Sequence, residues 1–204
     1  MKATEDIHRK VGIVMMIPLL LWAVTGLVFL TKPGYDDAYI QLQPKLYNIE
    51  REIRLPDNKH WNQVKLLRTI LGYHLLVSEN GQWVHLDPIT FNERSYPTEY
   101  EIKALINDAI LTNKERFGDV IAIDRDVVTT DTDVRITLDW NTLSLQQSGR
   151  DTRLINTLYK IHYLQWLGPP TLDKILGAIG IFGLMLLTVF GLATYAKKSR
   201  SNPP

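Results

Sequence analysis

Two long apolar blocks frame the chain, and a mixed pattern of apolar and polar positions fills the space between them. The first block runs from Val11 to Leu30, 20 residues without a charge, directly after His8-Arg9-Lys10. At about 1.5 Å per residue a helix of that length covers the roughly 30 Å hydrocarbon core of a bilayer. The second block, Ile175 to Ala196, is also uncharged and is followed by Lys197, Lys198 and Arg200. Each predicts a membrane-spanning helix. The first exceeds the apolar core of a secretory signal, and Leu30-Thr31-Lys32-Pro33-Gly34 supplies no small-x-small cleavage site, so it is expected to be retained. Basic residues outside both blocks predict cytoplasmic termini by the positive-inside bias, with residues 31–174 on the opposite side of the membrane.

The pattern between the blocks predicts an α+β domain. Trp61, Val64, Leu67 and Leu71 recur at helical spacing and predict a short amphipathic helix from His60 to Leu71, closed by Gly72. Tyr73 to Ser78 and Trp83 to Asp87 flank Asn80-Gly81, a pair suited to the two positive φ values of a type I′ turn, which predicts a hairpin. Thr98 followed by Glu101 resembles a capping box, opening a helix through Ile102, Leu105, Ile106, Ala109 and Ile110 that ends near Asn113. Strand-like runs follow at 120–128, 134–140 and 143–147. Asp151 to Trp166 predicts a further amphipathic helix with Tyr159, His162 and Trp166 on one side, broken by Gly168-Pro169-Pro170, after which Thr171 caps the second span. The order helix then strands, twice, suggests two similar halves. The expected divisions are 1–32 for the N-terminus and first span, 33–150 for the α+β domain, 151–170 for an interfacial helix, and 171–204 for the second span and C-terminus.

Composition narrows the function. The mean hydropathy of −0.09 averages two apolar blocks with a soluble-looking middle. Residues 31–174 carry 17 Lys and Arg against 20 Asp and Glu, so no basic field for nucleic acid exists. Cysteine is absent, which excludes disulfides, thiolate iron–sulfur clusters and covalent c-type haem attachment in this chain. No Gly-rich phosphate loop, serine-nucleophile motif or HExxH motif supports a hydrolase or a nucleotide-dependent enzyme.

The histidines carry the candidate chemistry. His8 lies at the cytoplasmic end of the first span and His162 just before the second, on the opposite side. Each has a plainer reading: His8 as a basic interfacial anchor beside Arg9 and Lys10, His162 as part of an aromatic belt with Tyr163 and Trp166. The glycines Gly177, Gly180, Gly183 and Gly191 suit close helix packing. In the hairpin, the expected register sets Leu76 opposite His85 and His74 opposite Asp87, so His74, His85 and Asp87 share one face and form a candidate metal set. Sheet alternation alone also produces such polar neighbours.

His8-Arg9-Lys10-Val11-Gly12, Thr25-Gly26 and the run from Ile161 to Gly168 resemble motifs of the PepSY-associated transmembrane protein family, and Gly81 to Pro88 resembles a PepSY-type hairpin ending in Asp-Pro. Larger members have four or more spans and include inner-membrane haem b reductases acting on ferric iron or ferric siderophores. The two-span layout is similar to the short, VciB-like members associated with iron reduction and ferrous uptake. The resemblance implies a bacterial inner-membrane protein with a periplasmic PepSY-like domain and haem b as cofactor. Its axial ligands would be His8 and His162, with Gly12, Arg9 and Trp166 in the surroundings. A helix rises about 33 Å from His8 to Leu30, so one chain cannot clamp one haem between both histidines. A homodimer with a four-helix bundle resolves this, giving one or two bis-histidine haems. The implied partners are a second copy, the lipid bilayer, ferric iron or a ferric chelate, a cytoplasmic or quinol electron donor, and a ferrous iron transporter. Electron transfer would be outer-sphere, with no catalytic acid or base. The alternatives are a non-enzymatic membrane-anchored PepSY module that binds peptide or a partner protein and regulates a peptidase or signalling complex, and an accessory subunit of a larger membrane complex.

Overall fold

The computed structural model describes residues 2–50, 52–56 and 60–201. The chain forms two compact units, one from Met1–Gly34 with Arg153–Pro204 and the other from Tyr35–Thr152.

In the terminal unit, α1 spans Lys2–Thr31 and stops where Lys32 and Gly34 take φ values of +46° and +71°. The other long helix, Pro170–Ser201, packs along α1, and both are long and apolar enough to cross a membrane, over Glu5–Thr31 and Pro170–Ser199. They run antiparallel, since His8 meets Gly191, Met15 meets Gly183 and Trp22 meets Gly180. The glycines bring the backbones close. A Cβ on Gly183 would stand 2.7 Å from Met15 Sδ, and one on Gly180 would stand 2.6 Å from Leu164 Cδ1. Away from this seam Val14, Ile17, Leu20 and Val24 of α1, with Ile179, Phe182, Met185 and Val189 of the second long helix, are exposed, as lipid-facing side chains require.

Within the central unit, α2 is one turn, Tyr35–Ala38, followed by extended chain. Strands β1 (Gln63–Thr69), β2 (Gly72–Glu79) and β3 (Gln82–Leu86) form an antiparallel sheet in sequence order. The helix expected over His60 to Leu71 is therefore β1, paired from Gln63↔Ser78 to Thr69↔Gly72. The misleading signal was Leu66 beside Leu67. Both faces of this sheet are covered, Leu67 packing into the main core and Leu66 against a smaller cluster of Leu75, Val77 and Leu86, so the strand lacks the alternation of a half-exposed one. Gly72 ends a turn between strands, at φ +95°, and closes no helix. The second hairpin turns through Asn80 at φ +51° and Gly81 at φ +82°, as the Asn-Gly pair requires.

Thr98 caps α3 (Glu99–Ile110) with both halves of the capping box formed, and its Ile102, Leu105, Ile106, Ala109 and Ile110 are buried. A 3-10 turn (Leu111–Asn113) and a single turn, α4 (Lys114–Phe117), follow. The second sheet, in sequence order, comprises β4 (Val120–Asp124), β5 (Val127–Thr130), β6 (Arg135–Asp139) and β7 (Ser144–Ser148). The expected single run at 120–128 is thus two strands, because Arg125 adopts φ +54° and turns the chain so that Asp124 pairs with Val127. Three strands precede the first long helix of this unit, so the expected repetition of helix then strands is absent.

The remaining elements are α5 (Arg150–His162) and α6, the Pro170–Ser201 helix. Helix α5 was expected to reach Trp166. It stops earlier because Leu164 turns to φ +55°, with the Gln165 N–H donating to the Lys160 carbonyl and the Leu164 N–H to that of Ile161, the two bonds of a Schellman ending. Helix α6 opens on Pro170, which needs no N–H there, and the Asp173 carboxylate accepts the Leu167 N–H at 2.8 Å. Thr171 lies inside the helix and is not its cap.

Candidate functional site

The terminal unit holds one histidine at each of two levels. His8 sits within the second turn of α1, with its ring on Gly191 of α6; a Cβ there would stand 3.3 Å from His8 Cε1. Its Nδ1 is buried and forms no hydrogen bond among the described residues. Arg9 and Lys10 each reach Asp6 at 2.8 Å on the exposed side of the helix, and Gly12 faces Leu187 at 3.8 Å. The structure therefore places Arg9 in a local ion pair and Gly12 in the α1–α6 seam.

His162 is the last residue of α5, and the Schellman ending beyond it turns Trp166 out of the helix, 46% exposed, with its Nε1–H 3.3 Å from the Ile161 carbonyl. His162 packs on α1. Its Nδ1 lies 2.7 Å from Thr25 Oγ1, its backbone carbonyl accepts the Trp22 indole N–H at 2.6 Å, and Phe29 meets its ring at 5.0 Å in an edge arrangement. Thr25 is buried, whereas Gly26 beside it has no neighbour where a Cβ would stand. The sequence offered Thr25-Gly26 as part of the family resemblance and missed the hydrogen bond. Its one trace was a polar residue inside an apolar span. Since Thr25 follows His8 by 17 positions on one helix, the two levels are separated by about 26 Å at 1.5 Å per residue.

The hairpin histidines form a different constellation. Leu76 pairs with His85 in the ladder, and His74 lies diagonally beside them on the face toward the main core. Both rings are fully buried, with His74 Nδ1 and His85 Nε2 3.0 Å apart. His85 Nδ1–H donates to the Trp140 carbonyl at 2.8 Å, and its Nε2 faces His74 Nδ1. His74 Nε2 and the Thr69 hydroxyl share a hydrogen bond of 2.7 Å. Every ring nitrogen has a polar partner within 3.0 Å. Arg94, which the sequence did not single out, donates to the Tyr73 and Leu71 carbonyls and places Nη1 3.1 Å from His74 Nδ1. Burial, reinforced by the Arg94 charge and the neighbouring ring, pushes His74 down to about 3. Burial also pushes His85 down to about 4, against the opposing pull of the Trp140 carbonyl.

Asp87 does not join them. It lies beyond the end of β3, and its Oδ1 accepts the Ile89 and Thr90 N–H groups of its own turn at 2.9 and 2.8 Å, which holds its carboxyl below the usual range. Among the described residues no group of three or more His, Asp or Glu side chains is placed to hold a metal ion. Two clefts of the central unit, about 680 and about 620 Å³, are lined by neither hairpin histidine. This pair is built as an internal brace, closed to substrate.

A family model described as the PepSY-associated TM region matches residues 2–198. Neither a curated protein nor a solved structure matches the chain.

Proposed function

The chain belongs to the PepSY-associated TM region family, and from that premise we propose that it is a haem b-holding reductase of the bacterial inner membrane. In this reading it works as a homodimer and passes electrons to a periplasmic acceptor, ferric iron or a ferric chelate, in support of ferrous uptake. Both termini are cytoplasmic, in keeping with the basic residues outside the two spans. The observation that supports the reading is one imidazole at each of two levels of a packed pair of spans, each with a nitrogen that no hydrogen bond among the described residues engages: Nδ1 of His8 and Nε2 of His162. The donor set fits. With no cysteine in the chain, imidazole is the available strong axial ligand, and His8 and His162 would hold the group. Bound haem would supply one-electron chemistry, cycling between ferric and ferrous iron. The protein's own residues bind and orient: α1 and α6 set the two levels, the Gly191 position seats His8, and Trp22 and Phe29 fix His162. No proton transfer by a side chain is needed.

The test is the absorption spectrum of the detergent-purified chain, oxidised and dithionite-reduced, with haem counted per chain, followed by reduction of ferric citrate. Sharp reduced b-type bands that weaken in His8→Ala and His162→Ala are expected. A colourless protein after expression with ample haem overturns the reading, as does full haem content in both variants. That result would favour the membrane-anchored binding module.

A further inference from the structure

Thr25 has a single hydroxyl proton and two claims on it. Its Oγ1 lies 2.5 Å from the Leu21 carbonyl, one helical turn back, and 2.7 Å from His162 Nδ1. A carbonyl oxygen cannot donate. Were the proton turned to Nδ1, the lone pairs of Oγ1 and the Leu21 carbonyl would face each other at that distance, at a buried residue. The proton therefore goes to Leu21, and Oγ1 receives Nδ1–H from the ring. A neutral imidazole carries one proton, so Nε2 is left with a bare lone pair. Among the described residues no hydrogen bond engages it.

We propose that Thr25 is a positioning residue that holds His162 in the Nδ1–H tautomer and presents Nε2 as its ligating nitrogen. The inference rests on the haem reading for the identity of the ligand, while the tautomer itself follows from the chain alone. Three contacts from one face of α1 act together. Trp22 holds the histidine's backbone through its carbonyl, Thr25 holds Nδ1 one turn later, and Phe29 sets its ring edge-on a further turn along. The imidazole is fixed in position, rotation and protonation before any ligand arrives, and preorganisation of this kind is what outer partners of ligating histidines supply.

The experiment uses the full chain in detergent, prepared haem-free, with nitrogen-labelled histidine and the His162 signals identified by their loss in His162→Gln. Wild type is expected to show a protonated Nδ1 and a bare Nε2. Thr25→Ser should keep that pattern. Thr25→Val, close in shape but without an acceptor, should shift the ring toward the opposite tautomer or a mixture. Titration with haemin then reads the consequence, with affinity falling about 10- to 100-fold in Thr25→Val and recovering in Thr25→Ser. If Thr25→Val misfolds, Trp22→Phe keeps Thr25 and tests the carbonyl contact: the tautomer should persist while ring order falls. A protonated Nε2 in wild type, or an unchanged tautomer in a folded Thr25→Val protein, overturns the proposal. If the tautomer behaves as stated but wild type binds no haemin, the haem reading fails and the positioning role of Thr25 stands.

Discussion

Lowering the pH should loosen the central unit well before its carboxylates titrate, because His74 and His85 are folded in as neutral rings. Their values of about 3 and about 4 in the folded chain lie below the unfolded value near 6.5. Between those limits the unfolded chain binds the extra protons, so stability rises with pH in this window. It is complete above pH 6.5 and is lost as pH falls toward 3. At pH 4.5 each ring withholds on the order of 2 to 3 kcal/mol from the folded state relative to pH 7, at about 1.4 kcal/mol per unit. Two rings together remove a large share of the 5–15 kcal/mol typical of a folded domain. Asp87, Glu101 and Asp151 are held below the usual carboxylate range by hydrogen bonds, so their stabilisation is lost only at lower pH, below about 4. The two effects overlap only below about pH 4.

The assay is urea unfolding of the full chain in detergent, followed by tryptophan fluorescence at half-unit steps from pH 7.5 to 4.5. Trp140 is a local reporter, with its ring 4.2 Å from that of His85. The wild-type midpoint should fall steadily below pH 6.5. His74→Gln with His85→Gln lowers stability at pH 7 by opening a satisfied buried network, but it should remove most of the slope. An equal slope in both proteins, or a flat wild-type curve down to pH 4.5, refutes the assignment of the two rings as buried and neutral.

Two further outcomes follow from the glycines of the spans. Gly183→Leu forces the α1–α6 seam apart at Met15 and should lower thermal stability in detergent by about 1–3 kcal/mol, with Met15→Ala restoring part of it; an unchanged melting temperature would mean the helices do not meet there. A Cβ at Gly26 meets nothing within 4 Å among the described residues, so in Gly26→Leu the fold should hold while crosslinked dimer and haem content drop; retention of both would place the partner helix elsewhere.

How much of this was legible depends on how far each residue's partner lies along the chain. The Thr98 and Glu101 capping box and the Asn80-Gly81 turn are settled within four residues, and both formed as read. The spans are settled by length and composition. Strand β1 is not, because Leu66 and Leu67 face opposite sides and only the covered second face explains why both are apolar. Leu164 at φ +55° ends α5 without the glycine that would announce it. The hairpin register placed His74 and His85 on one face, but the Trp140 carbonyl that completes their network comes from 55 residues away. Thr25 is the extreme case, with 137 residues separating it from His162, and nothing local distinguishes its hydroxyl from one merely bonded back to its own helix.

The unequal states of His8 and His162 bear on the proposed assembly. His162 has its backbone carbonyl and Nδ1 engaged by α1, so the chain alone completes one side of that ring. His8 is not completed. Its Nδ1 is buried against α6 with no partner, a condition that costs about 1–3 kcal/mol when nothing satisfies the group. An anchor histidine would turn its polar edge outward, to the exposed side of the helix where Arg9 and Lys10 pair with Asp6. The His8 ring is drawn inward instead, onto the glycine that makes room for it. In the proposed assembly a second copy or a held cofactor would complete its surroundings at that level. With about 26 Å between the levels, completing His8 does nothing for His162. A reading in which electrons cross the membrane through this protein therefore requires a centre at each histidine, and loss of either histidine should remove one centre and leave the other spectroscopically intact.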